Sequence, residues 1–296
     1  MIGQLKDLVV LATLALAIMA IMRSVYVSQP FQEFVAYYGE ETVHYCEFAL
    51  CMVLFWMYSS VLLVVDFFQP AWAIEYKVQV DKSVSSDMVW KGIRGSLFST
   101  VCVAVPTAFA WIKYVVPLTS MSAQGPLPNL KTIVSDFAIF LVAVETLLYY
   151  SHRLFHTKAF YAPYHKLHHE FTAPIGVSAI YCSPQEMILV NMLPVMAGPT
   201  LAGAHITCSA TWFCLAMLLT AHAHSGYAFP FMASPHLHDF HHETFNECFG
   251  LIGVLDSLHK TNVKFMVRMK AADGTKKVVI EPPVMRNSDE SRQNKK

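Results

Sequence analysis

The stretch Ile133-Val-Ser-Asp136-Phe-Ala-Ile-Phe-Leu-Val-Ala-Val-Glu145-Thr-Leu-Leu-Tyr-Tyr150-Ser-His152-Arg-Leu-Phe-His156 runs an apolar segment straight into two histidines four residues apart, and its reading decides the fold. About 18 apolar residues come close to what a helix needs to cross a bilayer. Carried on as a helix, the same segment places His152 and His156 one turn apart on one face, where the chain leaves the lipid. Thirteen of the fourteen histidines lie between His152 and His259. Most fall in four clusters: His152 with His156, His165 with His168 and His169, His222 with His224, and His238 with His241 and His242. On a helix, HxxxH aims two imidazoles at one point and HxxHH two or three. One zinc or iron accepts only three or four protein ligands, so eight or more converging imidazoles predict two metal ions.

Composition agrees with a chain built for lipid. The 296 residues are 55% apolar and 14% charged, with a mean hydropathy of +0.41, high for a soluble domain. The formal net charge is zero, so no overall field points to nucleic acid. The seven cysteines show no CxxC spacing and read as buried reduced thiols, which excludes a disulfide frame or a zinc knuckle.

Outward from the quoted stretch, Leu8 to Met22 reads as a short membrane anchor ended by Arg23, and Phe48 to Val65 and Ser96 to Ile112 as spans. Asp136 reads as interfacial, and Glu145 lies on the His152 stripe two turns deeper, where an ionised group needs a partner or a purpose. Residues 69–94 carry Lys77, Lys82, Lys91 and Arg94, whereas 24–47 carry no Lys or Arg. The positive-inside bias therefore puts 69–94 in the cytosol and brings His152 and His156 out on the cytosolic face. Val177 to Ala221 is apolar but broken by Pro184, Pro194, Gly198-Pro199 and Gly203; it predicts a helical hairpin, re-entrant or fully crossing, that returns the later clusters to the same face. The resulting fold class is an all-α, polytopic membrane bundle with a histidine-rich di-metal site at its cytosolic face. Residues 1–129 form N-terminal spans, 130–262 the catalytic domain, and 263–296 a cytosolic, partly disordered tail.

Imidazole suits iron and zinc alike, so ligand identity leaves the metal open. Hydrolytic two-metal sites usually add bridging carboxylates, and only Asp239 lies between these histidines. All-histidine ligation beside a bilayer fits oxidation of an unactivated C–H bond better than hydrolysis. A metal transporter is the competing class; it needs ligands along a path between the two faces, and the clusters fall on one.

The HxxxH and two HxxHH boxes, with His224-Ser-Gly-Tyr227 between them, resemble the sterol desaturase and fatty acid hydroxylase superfamily of membrane di-iron enzymes. His165-Lys-Leu-His-His-Glu-Phe-Thr-Ala-Pro-Ile-Gly176, Asn191-Met-Leu-Pro-Val195 and Phe249-Gly-Leu-Ile-Gly-Val-Leu-Asp256-Ser-Leu-His259 are similar to its branch related to sterol C4-methyl oxidase. The likeness covers residues 130–262. It implies an endoplasmic-reticulum oxygenase with two iron ions, which zinc can displace in purified protein. Its other reactants would be O2, a membrane lipid with a sterol favoured, and electrons from NAD(P)H through cytochrome b5 or a reductase. Hydroxylation of a sterol C4-methyl group leads; a fatty acid or sphingolipid hydroxylase, a sterol desaturase, and a silent homologue acting as a metal-binding scaffold are the alternatives.

The resemblance carries ligand roles to His152, His156, His165, His168, His169, His224, His238, His241 and His242. The chain departs from the pattern twice. Ala228 stands where fatty acid 2-hydroxylases have another histidine, so a tenth ligand would have to come from His222, His236 or His259. Lys260 replaces a turn glycine in the closing Asp-x-x-x-Gly-Thr, which costs stability if its φ is positive. Ligating histidines need their second nitrogen held, and Asp239, Glu170, Asp256 and Glu145 are the candidates.

Overall fold

The computed structural model describes residues 2–273, and among these there is no strand, only the isolated bridges Lys77–Tyr227 and Ser122–His205. Five helices are long and apolar enough to cross a membrane: Lys6–Tyr26, Glu40–Phe68, Ser86–Leu118, Leu130–Phe155 and Ile206–Ala223. The first belongs to α1 (Ile2–Tyr26), longer than the anchor expected from Leu8 to Met22. Arg23 does not end it, because its guanidinium reaches out of the helix to the Pro128 carbonyl at 3.0 Å. After α2 (Gln29–Tyr38) and α3 (Glu40–Phe68), α4 (Ser86–Phe98) and α5 (Val105–Tyr114) continue one another through a π-helical stretch, Ser99–Ala104. Asn129 starts α6 (Leu130–Phe155) by accepting the Thr132 N–H, which satisfies one of the free donors of the first turn. Asp136, expected at an interface, is buried on α6 at 7% exposure.

The expected hairpin is present and runs deep. Its first arm passes from Pro184 through the π-helical Met187–Met192 into α7 (Leu193–Ala202); Gly203, at φ +61°, makes the turn, and α8 (Ile206–Ala223) returns. Pro199 lies inside α7 and cannot donate to Val195 one turn back. The indole N–H of Trp212 on α8 takes that free carbonyl at 2.9 Å, so the break is repaired across the hairpin. The turn packs on the loop between α5 and α6, where Ile206 N donates to Ser122 O at 2.8 Å, and Tyr26 at the end of α1 bonds Gly125 of the same loop. The hairpin therefore reaches as far as the spans beside it.

α6 and α7 approach most closely at Gly198, where an added Cβ would stand 2.6 Å from the Phe140 Cα. Phe140, Val144, Cys208 and Trp212 fill the core behind them. At the opposite end of the bundle from the hairpin turn, the loop after α3 and the start of α4 meet the histidine-bearing segments: Val78 N donates to Gly226 O at 2.8 Å, Gln79 Nε2 donates to Thr172 O at 2.9 Å, and Lys91 on α4 pairs with Glu170 at 2.7 Å. The basic 69–94 segment and the histidine clusters thus share one end. Past α9 (His236–Thr244) and α10 (Val254–His259), the first part of the expected tail is helical as α11 (Val263–Asp273). Its remainder, with the apolar run 278–280 and the charged 287–296, lies outside the described residues.

Candidate metal centre

The nine box histidines come together at this end as two groups. His152, His156, His165, His169 and His241 form the first, and His168, His224, His238 and His242 the second, with the candidate ligand atoms of each group all within 4.8 Å of one another. The end of α6 supplies His152 and His156. The middle box is not one helical face as expected: a π turn, Tyr161–His165, gives way to a 3-10 turn, His168–Glu170. His165 and His169 enter the first group and His168 the second. The last box, on α9, is sorted the other way, with His238 and His242 in the second group and His241 in the first. The helical angle explains that sorting, since consecutive residues diverge by about 100° and those four apart by about 40°. Each HxxHH box therefore serves both groups.

The second ring nitrogens settle the tautomers. Nδ1 faces a backbone carbonyl in five rings: His152 to Phe249 O at 3.0 Å, His168 to Tyr181 O at 3.2 Å, His224 to Thr220 O at 2.8 Å, His241 to Glu247 O at 2.7 Å and His242 to Phe171 O at 3.0 Å. A carbonyl can only accept, so Nδ1 carries the hydrogen and Nε2 presents a lone pair. Yet the Nε2 atoms converge. His152–His165, His156–His241 and His169–His165 are 3.2, 3.1 and 3.0 Å apart, and His224–His168 and His238–His242 are 3.3 and 3.1 Å apart. In the His224–His168 pair both Nε2 atoms are unprotonated, and lone pairs so close repel unless a cation lies between them. Two nitrogens ~2.1 Å from a shared cation stand ~3.0 Å apart at a right angle and ~3.4 Å apart at a tetrahedral one, close to these spacings, with His165–His156 and His238–His224 tighter at 2.8 Å. The donor set fits a metal ion in each group.

Burial favours the neutral form that ligates. It lowers His156 to about 2 and His224 to about 4, and holds His168, His169, His238, His241 and His242 well below the ordinary imidazole value.

The other sequence candidates stand outside both groups. His222 Nδ1 meets Tyr58 OH at 2.9 Å, His259 stacks on Tyr149 and meets Tyr150 OH at 3.0 Å, and His236 begins a helix rather than the extended segment it would need to ligate. Of the four carboxylates, none touches a ligating ring. Glu170 pairs with Lys91 and Tyr181, and Asp239, raised to about 6 by burial, bonds Gln79 at 3.1 Å. Asp256 and Glu145 act one step further out: Asp256 takes the N–H groups of Phe249 and Gly250, and Glu145 those of Leu251, Ile252 and Leu255. Together they clamp the loop whose Phe249 carbonyl holds His152. Sequence reasoning missed Glu186, fully buried with Oε1 2.9 Å from His165 Nδ1. Its only signal, Ser183-Pro-Gln-Glu186, reads as an ordinary helix start, and Ser183 does cap the Glu186 N–H. Also missed was the strained turn in which Phe245 (φ +64°) and Cys248 (φ +65°) bracket Glu247 and aim its carbonyl at His241.

A cavity of about 560 Å³ opens below the two groups. His152, His165, His168, His224 and His238 form its roof; Phe48, Phe55, Val144, Leu148 and Trp212 line its wall; His44 and Glu47 lie at its floor.

Residues 137–261 match the fatty acid hydroxylase family. The chain is similar to fatty acid hydroxylase domain-containing protein 2 of Homo sapiens, 40% identical over 219 residues that cover 72% of this chain and 65% of that protein. It is similar to a very-long-chain aldehyde decarbonylase of Oryza sativa subsp. indica, 31% identical over 218 residues, 67% of this chain and 78% of the relative. A methylsterol monooxygenase of Aspergillus fumigatus is 32% identical over 183 residues, 57% and 61% of the two chains. The match thus spans just under two thirds of the human relative's length. No solved structure matches.

Proposed function

Because the chain belongs to the fatty acid hydroxylase family, we propose that it is a membrane oxygenase that hydroxylates a lipid C–H bond, with a sterol C4-methyl group as its substrate position. The observation that carries this reading is the convergence of nine imidazoles into two groups above an apolar cavity. His152, His156, His165, His169 and His241 would hold one iron ion, and His168, His224, His238 and His242 the other. Bound there, the metal pair supplies activation of dioxygen at a substrate carbon. The balance is one C–H bond and one O2, with two electrons and two protons, giving an alcohol and water.

The chain's own residues supply the rest. The cavity takes the lipid from the bilayer and keeps water from the reacting carbon. The carbonyls of Phe249, Tyr181, Thr220, Glu247 and Phe171 fix the ring orientations, and Glu186 stands behind His165. The methylsterol monooxygenase among the relatives supports the sterol position. The basic 69–94 segment at the histidine end supports a cytosolic site in the endoplasmic reticulum, where cytochrome b5 or a reductase delivers electrons from NAD(P)H. A transporter would need ligands along the depth of the membrane, and both groups sit at one end.

Metal analysis of purified protein beside lipid profiling of cells lacking it tests the reading. Two equivalents of metal and accumulation of 4-methylated sterols are expected; unchanged sterols with altered hydroxylated sphingolipids would move the substrate to an acyl chain.

A further inference from the structure

The cavity wall is apolar apart from a few side chains at two levels. At the floor, His44 Nδ1 lies 2.9 Å from Glu47, whose other oxygen accepts from Ser209 Oγ at 2.6 Å. That cluster ties α3 to α8 and is largely spent on itself. Nearer the roof, Asn191 is different. Its Nδ2 reaches only sulfur, Cys182 Sγ at 3.5 Å and Met187 Sδ at 3.8 Å, and sulfur is a weak acceptor. Its Oδ1 accepts no hydrogen bond among the described residues. Asn191 is half-buried and lines the cavity, so its amide has both a donor and an acceptor to offer there.

The backbone presents it there. Asn191 sits in the π-helical Met187–Met192, which packs against the other π-helical stretch, Ser99–Ala104, and such turns in helices commonly accompany functional sites. Height is set by the same arm: Glu186 touches His165, and Asn191 is five residues on, about one helical turn lower. At that depth the amide reaches the substrate atoms next to the carbon under the histidine groups, and not its far end.

We propose that Asn191 is a specificity-determining residue, hydrogen-bonding an oxygen atom that the lipid carries beside the carbon to be oxidised. The inference rests on the oxygenase reading and narrows its substrate class. For a sterol oxidised at its C4-methyl group the oxygen is the neighbouring 3-hydroxyl; for an acyl chain it is a carboxyl oxygen and the oxidised carbon is the next one. A lipid oxidised far from its polar group leaves the amide unpaired and is disfavoured, because a site built to bond an oxygen discriminates strongly against an analogue without it.

Binding to the purified protein, with metal content and thermal midpoint recorded alongside, tests this with two matched pairs: a 4-methylsterol with its 3-deoxy analogue, and hexadecanoic acid with hexadecane. Wild type should retain the oxygen-bearing member of one pair at least about ten-fold more strongly. Asn191→Leu should retain both members equally, with metal and midpoint unchanged, and Asn191→Gln should recover part of the preference. A preference confined to the acyl pair would sink the sterol reading and keep the role of Asn191. A preference that survives in Asn191→Leu, or that wild type lacks in both pairs, overturns the proposal.

Discussion

At the scale of single residues, the adjacency of His168 and His169 carries the sharpest consequence, since the two neighbours face different groups. His168→Ala takes one of four ligands from its group and should lower metal content by about one of two equivalents, whereas His169→Ala leaves four ligands in the other group and should weaken that ion's binding without abolishing it. Metal analysis at matched protein concentration, with a chelator titration, reads both effects. Loss of both ions from either single variant would mean one shared centre instead of two. Lys260 offers a stability test away from the site. It adopts φ +57° at the end of α10, in the left-handed region where a Cβ is strained. Lys260→Gly should raise stability by about 0.5–1 kcal/mol, seen as a higher thermal midpoint with activity unchanged. The clustering of the histidines and the strain at Lys260 were legible in the sequence, because box spacing and a missing turn glycine are local patterns. The sorting of each HxxHH box between two groups was not, since it depends on the π and 3-10 turns that break the middle box.

Between elements, the hairpin shows how a broken helix is kept whole in lipid. Pro199 frees the Val195 carbonyl and Trp212 from the opposite arm takes it up. Trp212→Phe removes that donor where water is scarce, and should cost on the order of 1–3 kcal/mol in detergent unfolding. Pro199→Ala supplies the missing N–H from within α7, so the double variant should recover part of the loss; purely additive costs would show that the indole bond is incidental. Gly198→Ala should cost more than an ordinary surface change, because the new methyl meets the α6 backbone at Phe140. The spans were readable from hydropathy and the hairpin from its Pro and Gly breaks. The depth of the turn was not, since it depends on a tertiary pairing with Ser122 far away in sequence. Glu186 was hidden for a related reason: a capped helix start looks alike whether or not its carboxylate later meets a histidine.

For the whole molecule, gathering nine histidines inside the fold makes its stability depend on pH in one direction. Leaving aside His152 within its span, burial holds the remaining rings of the two groups below their unfolded value of ~6.5, with His224 at about 4 and His156 at about 2. Between those values the unfolded chain binds protons that the folded chain refuses, so unfolding draws protons from solution and stability falls as pH falls. Each ring contributes up to about 1.4 kcal/mol per pH unit across its window, which makes the loss steep once several rings titrate together. A bound metal steepens it further, because protons compete for the same Nε2 lone pairs. Purified protein should keep its thermal midpoint and metal from pH 8 to about 7, then lose both together as the pH is lowered through about 6 toward 4. Metal analysis and thermal unfolding on the same samples check this. A midpoint unmoved between pH 7 and 5 would mean that the rings are not held neutral, and with that the case for two converging sets of lone pairs would fall.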